Sequence, residues 1–265
     1  MRLAEDPPAY SSSSTNDPLA SSAATWLQVA PGGESSADLV VGIDFGTTFT
    51  GFAFGHSGLT VETLADMKRV AGKIAIVRTW PNAVSDKIPT VLAYNSTPPS
   101  WGANIGPRDK PRVAHFKLGL QENVGKYYKQ RASAKGTTSL LGGYLDDPNW
   151  KHPNMPNKKA VDYTADYLTQ AFNYVKNEAL PRTFDAEFLK GQKISYVLTV
   201  PAIWTDKAKE LTRQAAVRAG ISRRELMLIT EPEAAALYCA TWCQEVQLQE
   251  GDKFLICDAG GGTVV

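Results

Sequence analysis

Two segments of the sequence repeat one local design, and this repetition constrains the fold more than any other feature. Residues 39–45 run into Gly46-Thr47-Thr48, and residues 253–257 run into a loop with three consecutive glycines and a threonine. Each begins with an apolar stretch that predicts a buried strand, and each carries an aspartate at the strand's end. One such turn alone could be an ordinary hairpin. Its recurrence about 210 residues later is hard to obtain from turn chemistry.

The residue types in these two loops suit a phosphate group. Glycines let the backbone approach an anion closely and present N–H groups to it. Thr47 and Thr48 add hydroxyl donors, and the carboxylates of Asp44 and Asp258 suit Mg²⁺ or its bound water. Neither loop has the Gly-Lys-Ser/Thr ending of a Walker A loop or the G-x-G-x-x-G fingerprint. The pair therefore predicts a polyphosphate held from two sides.

The rest of the chain predicts alternating strands and helices after a polar tail. Residues 1–38 are rich in Ser, Pro and Ala and predict a disordered extension. Short strands are expected at 49–54, 59–63, 75–80, 89–94, 101–105, 194–200, 227–229 and 253–257. Helices are expected at 161–180, stopped by Pro181, then from Thr205 or Asp206 to Ala219 before Gly220, and from Glu231-Pro232 onward. This alternation indicates an α/β protein.

Composition excludes several classes of protein. Lys+Arg number 28 against 27 Asp+Glu, so the net charge of +1 gives no global argument for a nucleic-acid partner. Three cysteines exclude a disulfide framework and predict reduced core thiols (Cys239, Cys243 and Cys257) in a reducing compartment. No secretory signal and no run of 18 apolar residues is visible. We expect a cytoplasmic protein, with the nucleus as an alternative and no membrane partner.

Four segments together resemble the ATPase domain of the 70-kDa heat-shock chaperones, in the actin-like and sugar-kinase superfamily. They occur in the family's order: Gly42-Ile43-Asp44-Phe45-Gly46-Thr47-Thr48, Leu198-Thr199-Val200-Pro201-Ala202, Ile229-Thr230-Glu231-Pro232-Glu233-Ala234-Ala235-Ala236 and Asp258-Ala259-Gly260-Gly261-Gly262-Thr263. The serine-rich tail and the divergent middle look more like the atypical eukaryotic branch. The resemblance implies an actin-like, ribonuclease-H-like α/β lobe at 39–250, with a β-rich insertion at about 77–159. Residues 251–265 would then be the first strand and phosphate loop of an incomplete second lobe.

The resemblance also implies a role for each matching residue. Asp44 would lie beside the Mg²⁺ hydration shell, Glu231 would hold a water, and Asp258 would orient water and metal through water. The nucleotide phosphates would contact Gly46, Thr47, Thr48, Gly260, Gly261, Gly262 and Thr263. Pro201 would relay the nucleotide state with Lys209, which stands where the family usually has arginine. Val265 stands where many members have an aspartate.

One catalytic lysine remains to be assigned. Lys117, in His115-Phe116-Lys117-Leu118, loosely resembles the family's catalytic lysine segment. It also lies in a basic stretch from Arg108 to Lys135, so an exposed cation on a solvated face is the alternative. A nucleic-acid site in that stretch would rest on charge alone.

The function implied is ATP binding and hydrolysis with Mg²⁺ by a chaperone-like protein. Clients and co-chaperones would bind through regions outside this sequence. A non-catalytic, nucleotide-sensing relative is the first alternative, and a sugar-kinase-type phosphotransferase is the second. If the sequence is the first lobe of a two-lobed clamp, we expect the 265-residue chain alone to bind MgATP weakly and to hydrolyse it negligibly.

Overall fold

The computed structural model describes residues 38–56, 74–109, 111–121, 157–242, 253 and 255–261. The chain divides into two units, Met1–Ser36 and Ala37–Val265, and the described residues belong to the second. The expected tail, the strand at 59–63 and most of the basic stretch at 108–135 lie outside them. None of the described helices is long and apolar enough to cross a membrane.

In the described part of the chain, nine strands precede the first α-helix. The strands are β1 Leu39–Phe45, β2 Phe49–His56, β3 Ala75–Ile76, β4 Thr79–Trp80, β5 Ala83–Val84, β6 Ile88–Pro89, β7 Val91–Ala93, β8 Ser100–Trp101, β9 Arg112–Ala114, β10 Ile194–Val200 and β11 Leu226–Thr230. The helices are α1 Ala160–Tyr174, α2 Leu180–Thr183, α3 Ala186–Gly191, α4 Asp206–Arg218 and α5 Glu231–Trp242. Two 3₁₀ helices, Gly102–Asn104 and Phe116–Leu120, lie between β8 and α1. The predicted alternation of strand and helix holds from β10 to α5. The strand predicted at 101–105 is wrong after Trp101, because Gly102 takes a left-handed φ of +58° and opens a 3₁₀ helix.

A mixed sheet organises the fold. Its strands follow the order β11-β10-β1-β2-β3, and β6 also pairs with β2. β1 pairs with β10 in parallel and β10 with β11 in parallel, whereas β1 and β2 are antiparallel. The carboxyl ends of β1, β10 and β11 therefore meet at one edge of the sheet, where ligands of α/β proteins commonly bind.

The two faces of β1 have different roles. Leu39, Val41, Ile43 and Phe45 are buried, and the residues between them are partly exposed. This period of two is the signature of a strand with one face on the core. Asp44 therefore points away from the main core at the carboxyl end of the strand.

Helices α1 and α4 cover the core face. The apolar positions predicted for the helix at 161–180 are largely buried, among them Leu168, Phe172 and Val175. The Phe45 ring lies 6.3 Å from those of Phe116 and Tyr167, centroid to centroid. An aromatic cluster thus joins β1, the second 3₁₀ helix and α1.

The expectation that Pro181 stops the long helix is wrong, because the chain stays helical for two residues beyond it. Residues Val175–Ala179 form a π-helical turn, and α2 then begins at Leu180, so Pro181 lies in the first turn of a new helix. A first-turn proline lacks only an N–H that has no partner within its helix. The helical path ends at Thr183, two residues later.

The predicted boundaries of α4 are confirmed. The Thr205 hydroxyl accepts a hydrogen bond from the Ala208 amide at 3.3 Å, which makes Thr205 the N-cap. After Ala219, the chain turns at Gly220 with φ of +98°, a left-handed conformation that favours glycine.

Two predictions for the end of the chain are wrong. Of residues 253 and 255–258, none is in a strand; Leu255 is 90% exposed. A strand needs a pairing partner, and the described sheet ends at β11 on this side. Cys239 and Cys257 are exposed rather than core thiols, since no described element covers them. Cys243 lies outside the described residues.

Candidate functional site

The first loop is a tight turn that only glycine can begin. A Cβ on Gly46 would lie 2.2 Å from the Phe49 carbonyl oxygen, so the turn from β1 into β2 has no room for a side chain. The Thr90 hydroxyl donates to the Gly46 carbonyl at 2.9 Å, and the Thr90 amide donates to the Thr48 carbonyl at 2.8 Å. These bonds fix the loop against the segment after β6.

The second loop touches the first. A Cβ on Gly261 would lie 2.3 Å from Oγ1 and 2.6 Å from Cγ2 of Thr48. The two segments that share one sequence design are therefore adjacent in space, with glycine at the point of contact. Gly262 and Thr263, the last residues predicted to bind phosphate, lie outside the described residues.

A buried ion pair lies behind the two loops. Lys117 Nζ is 2.5 Å from Glu231 Oε1, and the side chains are 3% and 13% exposed. Lys117 Nζ also donates to the Phe45 carbonyl and lies 5.5 Å from the Trp204 ring centroid. The sequence left two interpretations of Lys117 open, a catalytic lysine and an exposed cation on a solvated face. The structure therefore excludes the exposed cation.

Local structure orients Lys117 and Glu231 separately. Phe116 and Leu118 are buried on either side of Lys117 in its 3₁₀ helix, which fixes the lysine backbone against the core. Glu231 opens α5 directly after β11, and Thr230 and Glu233 form a capping box. The Glu233 carboxylate accepts from the Thr230 amide at 2.8 Å, and the Glu233 amide donates to the Thr230 hydroxyl at 3.3 Å.

The electrostatics of Glu231 combine burial with three charged neighbours. Burial raises the pKa of Glu231 above its ordinary value, and the Lys117 ammonium opposes that rise. The carboxylates of Asp44 and Asp258 raise the pKa of Glu231 further. Asp44 and Asp258 therefore lie close enough to Glu231 to influence its charge.

These groups line one cleft of about 190 Å³ that is open to solvent. We call it the two-loop cleft, and its lining residues are Asp44, Gly46, Thr47, Thr48, Phe49, Lys87, Lys117, Glu231, Asp258, Gly260 and Gly261. Three carboxylates and two lysines give the cleft a net charge of −1 when all are ionised.

The donor set fits magnesium bound together with phosphate. Within the described ranges, no group of three or more His, Cys, Asp or Glu side chains could hold a metal ion alone. Mg²⁺ usually keeps several waters and is bound through one or two carboxylates plus substrate phosphates. Asp44 and Asp258 supply such carboxylates, and the loop contact at Gly261 and Thr48 supplies a cradle that a side chain would fill.

Two predicted residues lie apart from the cleft lining. Pro201 is buried after β10, and its carbonyl accepts from the Trp204 amide at 3.2 Å. Lys209 lies in α4, where its amide donates to the Thr205 carbonyl at 3.0 Å. Trp204 connects Pro201 to the site, because its amide is bonded to Pro201 and its ring faces the Lys117 ammonium. The relay role of Pro201 and Lys209 stays a prediction.

Phe49 and Lys87 line the cleft without having been predicted, and Lys87 is the charged one of the two. Its Nζ lies 2.6 Å from Asp44 Oδ2. In sequence it is an ordinary cation before a short strand. Only the pairing of β6 with β2, Thr50 opposite Ile88, brings Lys87 beside Gly51 and across the sheet from Asp44.

The sequence matches no model of a known protein family. It is 26% identical to human Heat shock 70 kDa protein 12A over 85% of this chain and 39% of that protein. It is 29% identical to human Heat shock 70 kDa protein 12B, over 84% of this chain and 31% of that protein. It is 27% identical to the Chaperone protein HscA homolog of Actinobacillus pleuropneumoniae, over 89% of this chain and 34% of that protein.

The mixed α/β sheet and the cleft at its carboxyl edge agree with these matches. The chain is a distant homologue of the 70-kDa heat-shock proteins, which confirms the resemblance seen in the four sequence segments. It spans about a third of the length of these relatives. The homology implies an actin-like ATPase fold.

Proposed function

We propose that the two-loop cleft binds the phosphate groups of ATP or ADP with Mg²⁺, and that the chain is the first lobe of an ATP-hydrolysing, chaperone-like protein. The observation that carries this proposal is the contact between Gly261 and Thr48 over a cleft lined by Asp44, Glu231 and Asp258. Two glycine-containing loops at the carboxyl edge of a sheet form a site that a polyphosphate can enter.

Each side chain has a distinct task in this proposal. A bound Mg²⁺ would neutralise phosphate charge and reverse the net negative charge of the cleft. Thr47 and Thr48 donate hydrogen bonds to phosphate oxygens. Lys117 keeps Glu231 ionised and oriented, and Glu231 holds a metal-bound or attacking water by accepting a hydrogen bond from it. Asp44 and Asp258 orient further water. Phosphoryl transfer to water needs mainly such positioning and charge neutralisation.

Calorimetry with MgATP tests nucleotide binding by the 265-residue chain. We expect weak binding, with Kd above about 100 μM, because contacts to the base are not among the described lining residues. Asp258→Ala should weaken binding at least several-fold. Glu187→Ala, which removes a carboxylate 83% exposed on α3, is the matched control and should change nothing. Equal affinities for all three proteins would refute the phosphate site.

A non-catalytic nucleotide sensor is the second candidate, favoured by the Lys87–Asp44 pair. That pair already engages an oxygen of the carboxylate that would face the metal. Phosphate release by a longer protein that contains this chain separates the two functions. Release that depends on both Asp44 and Asp258 supports hydrolysis, and nucleotide binding without any release supports sensing.

A further inference from the structure

Lys87 differs from Lys117 in the way that the protein holds it. Lys117 is 3% exposed, bonded to both Glu231 and a backbone carbonyl, and therefore fixed. The Lys87 side chain is 55% exposed, and its partner Asp44 is 43% exposed. Exposed pairs of this kind contribute little to stability, so the Lys87–Asp44 bond can open at small cost.

Gly51 allows Lys87 to reach Asp44. Gly51 is paired with Asp44 across β1 and β2. A Cβ on Gly51 would lie 3.3 Å from Lys87 Cγ and 3.9 Å from Lys87 Cε. The aliphatic part of Lys87 therefore lies flat over the glycine, and its ammonium extends over β2 to the carboxylate on β1.

Both oxygens of Asp44 are engaged in this arrangement, but unequally. Oδ2 is bonded to Lys87 at 2.6 Å, and Oδ1 accepts from the Thr199 hydroxyl at 3.4 Å. A divalent cation binds through a carboxylate oxygen, directly or through one of its waters. A cation that approaches Asp44 through Oδ2 therefore competes with the Lys87 ammonium for that oxygen.

We propose that Lys87 is a built-in counter-ion of the two-loop cleft that competes with divalent cations for Asp44 and, once displaced or in their absence, pairs with phosphate oxygens. Lys87 thereby lowers the affinity of the nucleotide-free cleft for a divalent cation, and it raises the affinity of the cleft for metal-free polyphosphate. The second half rests on the proposed function, whereas the first half concerns Asp44 and Lys87 alone.

Mn²⁺ binding to the full chain without nucleotide, measured by electron paramagnetic resonance, tests the first half. Lys87→Met keeps the aliphatic stem over Gly51 and removes the charge. We expect Mn²⁺ affinity to rise about three- to tenfold in this variant, as loss of an exposed competing pair implies. Adding Asp44→Asn should abolish the gain. Lys190→Met, which removes a lysine from an exposed 2.7 Å pair on α3, should match the wild type.

Calorimetry with ATP in EDTA tests the second half, and the expected change has the opposite sign. Lys87→Met should weaken metal-free ATP binding several-fold while it strengthens Mn²⁺ binding. A merely damaged cleft would lose both. Unchanged Mn²⁺ affinity in Lys87→Met, or no Mn²⁺ binding in either protein, would overturn the inference. If metal-free ATP binds neither protein while Mn²⁺ affinity rises as expected, the second half of the inference fails and the competition for Asp44 stands. The proposed function itself fails only if MgATP binding is also absent.

Discussion

Replacing Lys117 by methionine isolates the energetic role of the buried ion pair. Methionine fills much of the same volume but leaves the Glu231 carboxylate, 13% exposed, without its cation. Removing one partner of a buried pair typically costs about 3–5 kcal/mol, because the remaining charge stays desolvated. Since Glu231 faces the open cleft and gains some hydration there, we expect a loss of about 3 kcal/mol in the free energy of unfolding.

The second substitution, Glu231→Gln, supplies the decisive comparison. It removes the uncompensated charge, so the double variant should recover about half of the loss in urea or thermal unfolding. Lys190→Met is the control for an exposed pair and should cost less than about 1 kcal/mol. A loss below about 1 kcal/mol for Lys117→Met, or no recovery in the double variant, would refute the reasoning.

The pH dependence gives the same argument an independent readout. Burial raises the pKa of Glu231 above 4.5, so its contribution to stability is present below that value and is lost as the pH rises through the folded-state pKa. Because the Lys117 ammonium lowers the pKa of Glu231, removing Lys117 raises that pKa further, and the loss of stability with rising pH becomes larger. The stability difference between Lys117→Met and the double variant should therefore widen as the pH rises above the ordinary glutamate pKa of 4.5.

Three further substitutions test the packing around the site by chemical unfolding. Gly46→Ala should cost at least about 2 kcal/mol, because its Cβ would meet the Phe49 carbonyl at 2.2 Å; a neutral effect would show that the turn can rearrange. Thr205→Ala should lower the free energy of unfolding by about 1 kcal/mol, because it removes the α4 N-cap. Thr205→Ser keeps the capping hydroxyl and should retain most of that stability. Tyr94→Phe should cost about 1–3 kcal/mol, because the phenol donates to the Asp166 carboxylate at 2.5 Å; full wild-type stability would contradict that bond's importance.

The sequence correctly predicted those elements whose pattern depends on residues close together in the chain. The alternation in β1, the apolar spacing in α1 and the capping threonine of α4 each depend on residues within one element, so the sequence carries them directly. The prediction for 253–257 as a strand and the expectation of core thiols failed for the opposite reason. Burial of Cys239 and Cys257 depends on what packs over them, which no local pattern encodes.

The chemistry of the cleft can be read from the sequence: the aspartates, the glycine–threonine loops and the opening of α5 at Glu231. Which of these groups meet depends on the tertiary structure. The buried Lys117–Glu231 pair joins residues 114 positions apart, and the Lys87–Asp44 pair joins residues 43 positions apart. Strand register and helix packing set these contacts, since a charge's surroundings, and hence its partner and its pKa, are fixed by segments distant in sequence.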